Sequence, residues 1–244
     1  MARDAARARA VLKLGLVAGD NARAALVSAH QDPEGVVRDA AAIALARLGV
    51  ADAAAPFLSA STDADEAVRA SAARSLGLIG REGRDLLGKL ASSDTAVSVR
   101  AEACAALGSF TDPASAALLA AALKDKSGRV RLSAARALAH RVEPKSTAAL
   151  KALLDKAPPP ELALIALAGL ADRGEEVDLG LADLTLGQDD PELKSIAVRV
   201  LVNARRPEAL ELLLKAMRSD ASRRVRVEAA AAIIVRLRHS EDSR

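Results

Sequence analysis

The sequence predicts an all-α protein, an α-solenoid of antiparallel helix pairs. Two observations predict it. A short pattern returns about every 31 residues along nearly the whole 244-residue chain, which is typical of a repeat architecture. The composition also suits thin, closely packed helices, because 51% of the residues are apolar and only 1% are aromatic. Alanine, the strongest helix former, can then fill much of the interior.

The pattern is clearest at a recurring Val-Arg step, whose valine position we call the anchor. Four residues after each anchor stands an alanine, and eight residues after it stands a leucine, replaced by Ile233 in the last copy. Positions 0, 4 and 8 fall on one helical stripe, so each anchor begins a helix with one buried face. Steps of 31 or 32 residues give the anchors Ala6, Val37, Val68, Val99, Val130, Leu162, Leu193 and Val225.

A second apolar stretch lies between successive anchors and predicts a partner helix. Asp112-Pro113 and Asp190-Pro191 are typical helix starts, with an N-cap followed by proline. We call the first helix of each pair the A helix and the anchor helix the B helix. The prediction is one solenoid over residues 1–238, followed by a polar tail at 239–244. It begins with a half repeat at 1–19 and continues with helix pairs at about 20–50, 51–81, 82–111, 112–142, 143–174, 175–205 and 206–238.

In five copies an aspartate stands six residues before the arginine of the Val-Arg step. Both are lost together in the fifth full repeat, as Ala157 and Ala163, and the sixth has Gln188 and Lys194. Joint loss is typical of paired positions, so we interpret these residues as a structural ladder of ion pairs and backbone hydrogen bonds. A row of ligand-binding arginines is the alternative. The five pairs are Asp32/Arg38, Asp63/Arg69, Asp94/Arg100, Asp125/Arg131 and Asp220/Arg226.

The motif D-x(4)-V-R-x-x-A-A-x-A-L-G resembles the HEAT repeat, in the short form related to the repeats of phycobilisome lyases. The resemblance covers nearly the whole chain. It implies a curved, right-handed superhelix with the A helices outside and the B helices on the concave face. Tetratricopeptide and ankyrin signatures are absent, since the sequence has no tryptophan and no T-P-L-H. Such folds carry many functions, so the resemblance does not identify a partner.

The sequence offers little for catalysis, so we predict that the chain is not an enzyme. It has no nucleophile elbow, no metalloprotease motif, no P-loop and no dinucleotide fingerprint. His30, His140 and His239 are far apart and none has a second ligand at helical spacing, so no metal and no cofactor is expected. The single Cys104 replaces a packing alanine. HEAT-like DNA glycosylases and bilin lyases are disfavoured, because neither stacking aromatics nor a cysteine cluster is present.

Charged B-helix positions predict one candidate partner surface. Residues 3, 6 and 10 after the anchor face outward, but carboxylates such as Glu102 and Asp172 share this surface with the cations. The net charge of +3 is small against the roughly 6–10 phosphate contacts that strong duplex binding needs. We therefore predict a protein–protein interaction scaffold, with weak, nonspecific binding to a nucleic-acid backbone as the alternative. The candidate partner-binding residues of the concave face are Arg47, Arg74, Arg136, His140 and Arg199.

The C-terminal helix predicts a second partner surface. "VEAAAAIIVRLR" places Val227, Ile234 and Val235 around much of its circumference, which is typical of an interaction surface. We expect the chain either to be part of a longer repeat protein or to dock another subunit or domain through this end, including end-to-end association with itself. No apolar run is long enough for a membrane span, and the basic N-terminus reads as a helix, so the cytoplasm is the default location.

Overall fold

The computed structural model describes residues 2–17, 19–48, 60–77 and 80–241, and all of its regular structure there is helical. Short turns join those successive helices whose connections are described, as expected for repeated helix pairs. The helices are α1 (Ala2–Leu14), α2 (Asp20–Ala29), α3 (Gly35–Arg47), α4 (Glu66–Leu76), α5 (Gly80–Ser93), α6 (Val97–Leu107), α7 (Pro113–Ala122), α8 (Gly128–Ala139), α9 (Pro144–Leu154), α10 (Pro160–Asp172), α11 (Gly180–Leu186), α12 (Pro191–Asn203), α13 (Glu208–Ser219) and α14 (Arg223–Glu241).

The prediction of an all-α solenoid of helix pairs is confirmed, and the chain forms two compact units. The first comprises residues 1–137 and the second residues 138–244. Within the first unit, α1 packs on α3 and α4 packs on α6; within the second, α10 packs on α12 and α12 packs on α14. Each of these contacts joins the B helices of successive copies, so neighbouring repeats bury a shared core.

Two described segments differ from the predicted repeats, and a third expected helix lies outside the described residues. The A helix expected before α4 falls largely at residues 49–59, outside the described part of the chain. Helix α11 has only 7 residues, and residues 175–179 before it are not helical. Helix α14 continues to Glu241, into the segment predicted as a polar tail. The short α11 is consistent with its Gly180 and Thr185, since both are weaker helix formers than alanine.

The repeated alanine is the most completely buried position of the B helices. It has 0% exposure in seven copies, whereas the eighth, Ala10 of α1, is exposed. The leucine or isoleucine four residues later is at most 9% exposed in the same seven copies. A methyl group at the first position and a branched side chain one turn away therefore form the repeating unit of the core. The seven alanines are Ala41, Ala72, Ala103, Ala134, Ala166, Ala197 and Ala229.

Successive B helices approach closely enough to require small residues. A Cβ atom built on Gly108 would lie 3.2 Å from the Cβ of Ala137, and one built on Gly15 would lie 2.6 Å from the Cβ of Ala44. Each glycine stands nine residues after its anchor, and each facing alanine stands seven residues after the next anchor. Position 9 of one copy therefore faces position 7 of the next.

Candidate interaction surfaces

In five copies the arginine that follows the anchor donates to the main chain of its own A–B turn. Nη1 of Arg100 donates to the carbonyl oxygens of Asp94, at 2.9 Å, and Thr95, at 3.2 Å. These bonds satisfy carbonyl groups that lie outside regular secondary structure. The same pair of bonds is made by Arg38, Arg69, Arg131 and Arg226.

The carboxylate of the aspartate in each of these A–B turns accepts a hydrogen bond from the backbone two residues later. Oδ1 of Asp94 accepts from the backbone N–H of Ala96 at 2.8 Å, and Oδ1 of Asp125 accepts from that of Ser127 at 2.7 Å. This local contact, an Asx turn, directs the chain into the following B helix. Asp32, Asp63 and Asp220 make the same contact.

The ion pairs made by the ladder aspartates join side chains of different copies. Arg69 donates to Asp94 at 2.9 and 3.1 Å, and Arg100 donates to Asp125 at 2.8 and 3.1 Å. Each of these two carboxylates therefore pairs with the arginine 25 residues before it, in the preceding copy. The arginine of its own copy instead donates to the main-chain oxygen of the same aspartate. Arg7–Asp32 and Lys194–Asp220, the latter 26 residues apart, also pair the cation of one copy with the aspartate of the next. We call this repeated arrangement the turn ladder.

Among the described residues the turn ladder is irregular at three points: at Arg38, after Arg131, and between the fifth and sixth repeats, where Ala163 and Gln188 have the ladder positions. Nε of Arg38 is buried without a hydrogen-bond partner among the described residues. Arg131 precedes the repeat in which the aspartate is Ala157, so that repeat offers no carboxylate at the ladder position. Ala157 itself has a φ of 48°, an unusual conformation for a residue other than glycine.

Three ladder carboxylates, Asp94, Asp125 and Asp220, have pKa values below the usual value for aspartate. For Asp125 the hydrogen bond from Arg100 is the largest cause and lowers the pKa. For Asp94 and Asp220 burial is the largest influence and raises the pKa, but hydrogen bonds from Arg69 and Lys194, together with backbone N–H groups, outweigh it. The ionised carboxylates are therefore stabilised where they are.

A second set of arginines, not recognised in the sequence, caps B helices. Nη2 of Arg173 donates to the carbonyl of Leu138 at 2.6 Å, and Nη1 of Arg236 donates to that of Leu201 at 2.8 Å. Both arginines stand 11 residues after their anchor and reach the end of the preceding B helix. Burial lowers the pKa of both guanidinium groups. Arg141 has the same position in the Val130 copy and pairs with Glu143, a recurrence that could have revealed the set.

The predicted concave-face residues are distributed over both units. Arg74 and Arg136 lie in the first unit, whereas His140 and Arg199 lie in the second, and all four are exposed. The side chain of Arg47 is outside the described part of the molecule.

Some of these cations already have carboxylate partners. Arg74 lies 3.4 Å from Glu102, and Arg199 lies 2.9 Å from Asp172, which also accepts from Asn203 at 2.8 Å. Glu102 and Asp172 are the carboxylates predicted on the same surface. Their pairing reduces the positive potential available for a phosphate backbone.

The predicted C-terminal surface is an exposed apolar face of α14. Val227 is 61% exposed, Ile234 54% and Val235 40%. The opposite side of the helix is buried through Val225, Ala229, Ala232 and Ile233. Helix α14 is thus apolar on both its packed and its exposed side. Isolated apolar residues on a surface are ordinary, but a cluster on one helix face is typical of an interaction site.

Two potentially reactive side chains, Cys104 and His30, are buried in the core. Cys104 is buried, and burial raises its pKa to about 12, so its thiol is a packing group at neutral pH. His30 is also buried, with Nδ1 3.5 Å from the carbonyl oxygen of Arg38. Within the described ranges, acidic, histidine and cysteine side chains form no group of three that could hold a metal ion. No helix there is both long and apolar enough to span a bilayer.

Comparison with known proteins identifies the family. The family model of HEAT repeats matches residues 2–77, 54–138 and 84–171, which together cover more than half of the chain. The chain belongs to the HEAT-repeat family. No curated protein matches its sequence.

Several solved structures are similar to this chain, and that of YibA has the same type of fold. The Escherichia coli protein YibA superposes with a TM-score of 0.67 at 19% identity, over 91% of this chain and 84% of that one. Human deoxyhypusine hydroxylase is similar at 20% identity, with a TM-score of 0.39 over 94% of this chain and 89% of that one. The CpcE–CpcF complex of phycocyanin lyase from a Nostoc species is similar at 24% identity, with a TM-score of 0.44 over 85% and 86%. HEAT repeats commonly mediate protein interactions.

Proposed function

We propose that this HEAT-repeat protein is a non-enzymatic scaffold that binds another protein. The observation that carries the proposal is the apolar face of α14, where Val227 and Ile234 are more than half exposed. The charged B-helix residues named above are further candidates, with Arg74 and Arg136 in the first unit and His140 and Arg199 in the second. The main recurring polar groups, the turn ladder and the capping arginines, hold the repeats together and support a binding role over a catalytic one.

The function can be tested by comparing the two surfaces on the intact chain. The surface variants are Arg74→Glu/Arg136→Glu/Arg199→Glu for the charged residues and Ile234→Glu/Val235→Glu for α14. Proteins captured by the wild type would be purified, and their direct binding to each variant measured by calorimetry. We expect a protein partner whose affinity falls at least about tenfold with one set of substitutions. Unchanged binding in both variants would contradict the assignment of these surfaces.

Electrostatic binding to a nucleic-acid backbone is the alternative function, supported by the excess of basic residues. The ion pairs of Arg74 and Arg199 count against it. We expect weak, sequence-independent binding to duplex DNA that collapses between low and physiological salt. A dissociation constant below about 10⁻⁷ M at physiological salt, measured by fluorescence anisotropy, would replace the scaffold proposal with a nucleic-acid function.

A further inference from the structure

The exposed side of α14 corresponds to a side that is buried in earlier B helices. In the Val99 copy, position 2 is Ala101, which is 5% exposed, and position 9 is Gly108, which lies against Ala137 of the next copy. In the last copy the same two positions are Val227 and Ile234. Val227 and Ile234 therefore present larger apolar side chains where other copies receive a neighbouring helix.

Arginines lie at both ends of this apolar stripe. Arg223 precedes Val227 by four residues and Arg238 follows Ile234 by four residues, so all four share one helix face. Both arginines are exposed. Fifteen residues of helix separate them, which is about 22 Å.

Arg226 adds a third cation beside the stripe. Its Nη1 binds the carbonyls of Asp220 and Ala221, as in the other turns. In Arg69 and Arg100 the Nε–Nη2 edge binds an aspartate of the next copy. Among the described residues, that edge of Arg226 has no hydrogen-bond acceptor. Its planar geometry matches a carboxylate.

We propose that α14 binds an amphipathic helix of another protein, with an apolar ridge against Val227, Ala231 and Ile234. Carboxylates of that helix pair with Arg223 and Arg238 near its two ends and with Arg226 at its side. This inference rests on the proposed scaffold function and specifies the chemistry of one partner. The expected binding mode is a helix laid along an apolar stripe, with acidic residues setting its position.

The α14 and α1 helices of a second copy do not fit that description. Its own α14 has five arginines and two glutamates, and its α1 has four basic residues and one acidic residue. Either helix would bring positive charge against Arg223, Arg226 and Arg238. Like charges placed together at an interface are unfavourable, so charge complementarity selects an acidic partner.

The test uses the full chain and two synthetic helical peptides. Each peptide has about 16 residues, so that it spans about 24 Å, and an alanine–leucine ridge at helical spacing. One carries glutamates at both ends and the other carries lysines there. Fluorescence anisotropy should show at least about tenfold tighter binding of the glutamate peptide to the wild type. Ile234→Glu should weaken it at least about tenfold, whereas Val142→Glu, at a side chain 84% exposed in the turn after α8, should not.

Charge reversal gives the decisive comparison. The variant Arg223→Glu/Arg226→Glu/Arg238→Glu should reverse the order and prefer the lysine peptide, while circular dichroism checks that each variant remains folded. Equal binding of the two peptides, or no binding of the glutamate peptide, would overturn the inference. Two further results would overturn the inference. One is a dimer of the chain in light scattering that Ile234→Glu abolishes, and the other is binding of the chain to anionic lipid vesicles that the same substitution abolishes. A protein partner lost only with the Arg74, Arg136 and Arg199 variant would overturn this inference and leave the scaffold function standing.

Discussion

Arg100 and Asp125 form a two-point ion pair across 25 residues of sequence, with Nε–Oδ2 at 2.8 Å and Nη2–Oδ1 at 3.1 Å. The same guanidinium binds the carbonyl of Asp94 through Nη1. One side chain therefore holds its own turn and the turn of the next copy.

This relationship predicts a specific energetic coupling. Arg100→Ala should destabilise the fold by about 3 kcal/mol, because it leaves a partly buried carboxylate without its cation. Its coupling to Asp125→Ala in a double-mutant cycle should be about 1–3 kcal/mol and should exceed its coupling to Asp94→Ala. Urea denaturation measures both. Arg131→Ala is the matched control, since that residue makes the same main-chain bonds but faces a repeat without the aspartate, and it should cost less, about 1 kcal/mol.

The lowered pKa of Asp125 predicts a contribution to acid sensitivity. A carboxyl group with a lower pKa in the folded state stabilises the fold above its unfolded pKa, near the ordinary value of 3.8. That contribution is lost as the pH falls from there through the folded pKa. Asp125→Asn should therefore reduce the loss of stability below about pH 4, measured by thermal melting across the acid range. An Asp125→Asn curve that runs parallel to that of the wild type across the acid range would contradict the prediction.

Stability should be lowest around α11. Residues 175–179 are not helical and α11 has 7 residues. Helix α7 has 10 residues, and the carboxylate of its N-cap, Asp112, accepts from the N–H groups of Ala114 and Ser115. We expect amide hydrogen exchange to be faster in residues 175–188 than in 113–124, because fewer backbone groups are protected. Mass spectrometry of exchanged peptides would decide, and uniform protection of the two segments would be evidence against it.

Position 9 should respond differently in the interior and in the last copy. Gly108→Ile forces a branched side chain against Ala137, where even a Cβ atom would lie at 3.2 Å, and should destabilise the fold by about 1–3 kcal/mol. Ile234→Ala removes a side chain that is 54% exposed and should change stability by at most about 0.5 kcal/mol. Chemical denaturation of both variants provides the comparison, and similar losses would show that Ile234 is part of the core.

The helix pairs could be predicted because the evidence for them is local. An alanine and a leucine at fixed distances from each anchor specify a buried stripe, and Ala103 and Leu107 are indeed fully buried. The exposure of Val227 follows from the same helical spacing. The partner of Asp94 could not be assigned in this way, because its carboxylate meets Arg69 only through the stacking of two copies. Local spacing indicated the ladder positions but not which copies they join.

The capping arginines were missed for a related reason. Arg173 and Arg236 resemble ordinary charged residues at the ends of their helices, and their acceptors lie 35 residues earlier. Only three copies have arginine at this position, so the recurrence is weak. The structure therefore adds the contacts between copies, which determine the polar chemistry of the turns.

The one-copy offset of the turn ladder makes the repeat modular in length. Residues 94–124 supply one acceptor, Asp94, for the copy before and one donor, Arg100, for the copy after. If this segment were duplicated, the new Asp94 would receive the first Arg100, and the new Arg100 would still reach Asp125. If it were deleted, Arg69 would meet Asp125 instead. Gene duplication or protein engineering could therefore lengthen or shorten this part of the chain by whole repeats without leaving a ladder charge unpaired.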